Sequence, residues 1–283
     1  MNFPPFRVLA KIPALATWFS LILSGGAVMH AAPLSPVATT GYNQDIIVEK
    51  GAVPQGGSIY GTYVTATMDS INAPSGTTYY EKGLNTSNST SGLPSNNTPF
   101  TSADLLNVVF QLQPYTQSNA LLVANGQTGT LTLAAPLAFS NIAFLVATGA
   151  SGSSGTDAIT LHFSDGTPNY TALSLNSPSW FSNSSAAFIS MGRVDVPSGN
   201  FLDVGQNNPR LYDQSFDLAA IGLSGHPISS IDFAFSGNGY SALFAMSGSV
   251  APEPGSMQFT LASMAAAMSV VGLRAWKKRC PRG

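Results

Sequence analysis

The chain has 283 residues, 44% of them hydrophobic and only 8% charged, against roughly 25% charged in an average soluble protein. All 13 acidic residues lie between Lys11 and Arg274, where only Lys50, Lys82, Arg193 and Arg210 oppose them. A body this acidic excludes nucleic acid and anionic surfaces as partners, and the single cysteine, Cys280, excludes an internal disulfide, so folding rests on the core.

Residues 1–31 read as a signal peptide. Arg7 and Lys11 form a positive start, Ile12 to Val28 is mostly apolar, and Ala31 and Ala32 offer small residues for cleavage after Ala31. From residue 42 to 250 the pattern is strand and turn. Stretches rich in Val, Ile, Thr, Phe and Tyr are punctuated by Gly, Pro, Asn and Ser. Strands are predicted at 58–67, 105–112, 119–124, 128–134, 140–148, 157–164, 169–176, 211–219, 227–236 and 240–248. Many short strands at regular spacing predict an all-β fold, a β-sandwich of jelly-roll type. The sharpest local signal is Asp165-Gly166 between two alternating runs, which predicts a hairpin and turns His162 away from the apolar face.

The predicted layout places N-terminal strands at 32–84 against a main sandwich at 100–250. Residues 85–99, NTSNSTSGLPSNNTP, are too polar to pack and read as a low-complexity loop, either a divider between the two or an insertion in one domain. At 251–283 comes Pro252-Glu253-Pro254, then an uncharged run at 255–273, then Arg274, Lys277, Lys278 and Arg279. Nineteen residues at about 1.5 Å each could cross a bilayer of about 30 Å, with the basic end kept in the cytoplasm.

This tail resembles the PEP-CTERM sorting signal of bacterial exported proteins. The resemblance implies an exosortase as processing partner, passage through the inner membrane with the body outside the cytoplasm, and association with exopolysaccharide. A second resemblance covers residues 92–248. Its landmarks are Asn119-Ala-Leu-Leu122, Gly129–Leu133, Phe163-Ser-Asp-Gly-Thr167, Ser179-Trp-Phe181, Gly192-Arg193 and Pro209-Arg-Leu-Tyr212. They are similar to a sandwich module common in PEP-CTERM proteins, with Ser179 where that module has Asp. The module looks like galactose-binding-like carbohydrate domains, a likeness of fold rather than of activity.

The sequence offers no catalytic set. It lacks a Gly-x-Ser-x-Gly elbow, a zinc pattern and a phosphate loop, and the Asp213 and Asp217 pair on one strand face reads as solvent-facing carboxylates that keep the surface soluble. No metal pattern is present either; the one cofactor the loops allow is calcium, at Asp195, Asp203 and Asn207. Sugar binding needs an aromatic ring with polar groups beside it. Trp180 and Phe181 supply the rings, with Arg193, Arg210 and Tyr212 as neighbours. Two readings of these five residues stay open: a sugar platform, or a Trp-Phe plug at one end of the sandwich with each Arg paired to an Asp. The sequence therefore predicts an exported, non-enzymatic envelope or matrix protein that binds polysaccharide. Its rivals are a glycan-active enzyme and a matrix protein without ligand.

Overall fold

The computed structural model describes residues 32–150 and 154–252, which form strands, turns and coil without a helix. The predicted signal peptide and the tail from Glu253 onward lie outside the described residues. The first strands are short: β1 (Ser35–Pro36), β2 (Thr39–Thr40), β3 (Ile47–Val48), β4 (Thr77–Tyr80), β5 (Phe100–Thr101) and β6 (Val109–Phe110). Then come β7 (Leu121–Ala124), β8 (Thr128–Leu137), β9 (Phe139–Gly149), β10 (Gly155–Phe163) and β11 (Tyr170–Ser177). The last are β12 (Phe188–Ile189), β13 (Arg193–Asp195), β14 (Phe201–Leu202), β15 (Arg210–Asp217), β16 (Ile228–Gly237) and β17 (Tyr240–Val250).

Two antiparallel sheets pack face to face as a β-sandwich. The outer sheet runs β11-β10-β16-β8-β2, and the inner sheet runs β1-β17-β9-β15-β12 with β7 also joined to β17. Alternation in the outer sheet is clean: Ile159, Leu161, Ile231, Phe233 and Phe235 point inward, and Thr160, His162 and Asp232 point away. They meet Ile142, Phe144, Val146, Leu243 and Met246 of the inner sheet, each buried side chain contributing about 1.5–3 kcal/mol. Asp165-Gly166 turns β10 into β11 as predicted, with His162 facing outward beside Asp232.

The central strands of the inner sheet, β9 and β17, have no free face. Residues 142–149 of β9 and 240–249 of β17 are buried without interruption, which is why Ile142-Ala-Phe-Leu-Val146 shows no alternation. The sheet's second face carries Ala143, Leu145, Ala242 and Phe244 against Ile46, Ile47, Tyr79, Phe110, Tyr115 and Trp180. This third layer is drawn from residues 34–118 and 178–210 and includes a small mixed sheet, β14-β13-β4-β3.

Three expectations need correction here. Residues 58–67 form turns, with Tyr60 and Val64 plugging a small core under β4 and β13. The paired glycines at 56–57 and Gly61 interrupt any ladder. Residues 105–112 yield only the two-residue β6, and Leu106 is 92% exposed on a turn. The polar stretch 85–99 does pack: Asn85, Ser91 and Leu93 are buried, Leu93 N donates to Tyr80 O and Gly92 N to Ser190 O. Backbone bonds substitute for its missing apolar content. Gly92 sits at φ +103°, where a Cβ would come within 2.7 Å of Lys82 N.

Candidate functional site

The segment after β11 is tied to the end of β9. Thr148 N donates to Pro178 O at 2.7 Å, and Trp180 N returns to Thr148 O at 3.2 Å. Trp180 is thereby turned inward and is 1% exposed. Its ring meets Tyr79 edge-on at 5.3 Å and Phe181 at 5.2 Å.

All five residues singled out from the sequence gather here, in two roles. Arg193 of β13 stacks over Phe181, its guanidinium carbon 4.5 Å from the ring centroid. Its Nε donates to Asp203 at 2.7 Å and its Nη1 to Thr77 Oγ1 at 2.9 Å. Arg210 pairs with carbonyls rather than with an Asp: Nε donates to Asn207 O and Nη1 to Ser184 O, at 2.7 and 2.8 Å. Tyr212 OH donates to Ser182 O at 2.8 Å. Burial pushes the Tyr212 phenol up, so it remains a neutral donor. Trp180, Arg210 and Tyr212 thus fasten the 180–184 loop, while half-buried Phe181 keeps part of its ring at the surface.

Beside that ring runs an open, polar groove of about 500 Å³, lined by Asn176, Pro178, Ser179, Phe181, Ser182 and Ser184. It continues over Tyr212, Asp213 and Gln214 for about another 220 Å³. Gln214 holds the floor together: its Oε1 accepts from Asn176 N at 2.9 Å and its Nε2 donates to Ser174 O at 3.0 Å, joining β15 to β11. The exposed amide of Asn176 has no protein partner among the described residues. Sequence reasoning missed Asn176 and Gln214. The available signal was strand parity, since Asn176 stands between inward Leu175 and Ser177.

The two carboxylates named from the sequence do not converge, although Asp104 lines the groove beside Asp213. Asp213 and Asp217 are four positions apart on β15, about 13 Å. Both Asp213 oxygens are shielded from solvent, and burial pushes its carboxyl up against the opposing effect of Ser102. Asp217 instead accepts from Ala220 N at 2.9 Å. Of the calcium candidates, Asp203 holds Arg193, Asp195 accepts from Ser198, and Asn207 offers its carbonyl to Arg210. Among the described residues no three His, Cys, Asp or Glu side chains cluster for a metal.

No family model and no curated protein matches the chain. Solved structures that overlap it include a carbohydrate-binding module of family 29, at 14% identity, covering 56% of this chain and 81% of the module with a TM-score of 0.25. Another is a variant of a family 29 module complexed with cellulohexaose, at 13% identity, 56% and 83% coverage and a TM-score of 0.24. At such scores the overlap fixes neither the topology nor the ligand of this chain.

Proposed function

We propose that this is an exported, non-enzymatic envelope or matrix protein that binds polysaccharide along the Phe181 groove. In the same reading, the Pro252-Glu253-Pro254 tail holds it in the membrane until an exosortase processes it. The observation that carries the binding is the pairing, in one open groove, of a ring stacked under Arg193 with the unpartnered amide of Asn176. A pyranose offers a C–H face to such a ring and hydroxyls to such an amide. The enzymatic rival needs two carboxyl groups flanking the bond to be cut; of the two that line this groove, Asp104 is exposed and the Asp213 oxygens are shielded from solvent.

Affinity electrophoresis of the full chain in gels containing hydroxyethylcellulose, galactomannan, dextran or alginate tests the binding. Retardation by at least one polymer, weakened by Asn176→Ala, is expected. Unchanged mobility in all four gels sinks the proposal. Sorting is tested by truncation after Val250: the shortened chain should leave the membrane fraction, and its retention there would assign anchoring elsewhere.

A further inference from the structure

A second groove lies on the opposite edge of the sandwich. The Phe181 groove follows the β11–β15 edge, whereas this one follows β2, where the chain passes from Pro36 to Tyr42 beside residues 111–118. Two adjoining hollows of about 300 and 270 Å³ share Thr39 and Gln113 and so form one trough. Its bed is fixed by the backbone. Gly41, at φ +108°, lies so close to β8 that a Cβ would stand 2.1 Å from Thr130 O. The adjoining Asn43 grips both polar groups of Leu122: its Nδ2 donates to Leu122 O at 3.0 Å and its Oδ1 accepts from Leu122 N at 2.8 Å. Tyr42 and Thr39 are hydrogen-bonded at 2.8 Å, which fixes the phenol along the trough.

The lining holds no charged side chain. The exposed amides of Gln111 and Gln117 have no protein partner among the described residues. Amides that both donate and accept, beside hydroxyls and a tyrosine, match a ligand of many neutral hydroxyls. Ionic ligands find no counter-charge there.

We infer that this trough is a second polysaccharide site, specific for neutral chains, and that the protein cross-links two polymer strands. The cross-linking rests on the reading of the Phe181 groove given above. The outer sheet separates the two edges by four strand spacings, about 20 Å, so each groove takes its own stretch of polymer. Two polymers bound this way are joined through a rigid sandwich, and the network gains avidity without any new contact.

The test mixes the full chain with hydroxyethylcellulose, galactomannan or dextran and follows particle size by light scattering, with affinity electrophoresis in parallel. Particle growth is expected with wild type. The Gln111→Ala/Gln117→Ala variant should lose the growth while remaining retarded in the gel, and Asn176→Ala should behave likewise. Apparent affinity should drop about tenfold or more in either variant. If no neutral polymer binds wild type, both sites fall. If wild type binds and cross-links but the glutamine variant does so equally well, only the second site falls. Retardation of wild type without particle growth overturns the cross-linking.

Discussion

Arg193 holds Phe181 from above at 4.5 Å while its Nε is held by Asp203 at 2.7 Å, so a residue of the third layer sets the ring angle at the groove. Arg193→Ala should cost about 1–3 kcal/mol in urea unfolding, since it removes a stacked cation and leaves Asp203 alone. Arg193→Lys should recover only part of this, because an ammonium cannot serve Asp203, Thr77 and the ring at once. Equal stability of wild type and Arg193→Ala would show that the ring is held by other contacts.

Two carboxyl groups should make stability depend on pH. Burial raises the Asp45 carboxyl to about 7 and also raises that of Asp157, which is fully buried and accepts from Ser177 and Ser241. A raised carboxyl keeps its proton longer in the folded chain than in the unfolded one. The contribution of Asp45 is therefore complete below about pH 4 and declines as pH rises from about 4 to 7. Asp45→Asn should flatten that decline in unfolding midpoints measured between about pH 4 and 8. An unchanged slope would place the carboxyl in water.

Leu93 tests whether the polar 85–99 stretch is part of the core. Its side chain is fully buried, and its N–H and carbonyl bond to Tyr80 and Lys82. Leu93→Ala should cost about 2–5 kcal/mol, whereas Ser89→Ala, on the exposed part of the stretch, should stay within about 0.5 kcal/mol of wild type. Calorimetry or urea unfolding separates the two; equal behaviour would return the stretch to the status of an unpacked loop.

Gly41→Ala should destabilise the chain and disturb the trough together. A Cβ there would stand 2.1 Å from a backbone oxygen, and φ is positive. Loss of a few kcal/mol is expected in unfolding, with less retention on any neutral polymer that the Gln111→Ala/Gln117→Ala variant binds weakly. A stable variant with unaltered retention would show that β8 can yield at Thr130.

The long strands β8 to β11 and β15 to β17 could be read from the sequence because each is a run of eight or more residues with recurrent apolar positions, bounded by turn residues and alternating where one face meets solvent. The third layer could not. Its strands are two to four residues long, and side chains hold its backbone in place: Asn119 Oδ1 accepts from Ile46 N at 3.0 Å and Glu81 accepts from Lys50 N at 2.8 Å. Such bonds leave no period in the sequence. For the same reason Trp180 stood out as an aromatic while its inward direction stayed hidden: that direction is set by Thr148, thirty-two positions earlier. Asn176 and Gln214 carry no compositional mark, and their meeting depends on β11 and β15 lying on one edge.

Strand β17 spans the height of the sandwich. Its start lies beside Gly149, near the Thr148–Ser179 contact that leads to the Phe181 groove, and its finish pairs with Phe139. Ser35 pairs with Gly248, so the chain enters and leaves the sandwich at the same pole. Eleven residues at about 3.3 Å make a column of about 35 Å. With the proposed anchor starting a few residues past Val250, the lipid surface would meet the lower pole. On that proposal the ring of Phe181 would stand at the opposite pole, about one strand's length from the lipid.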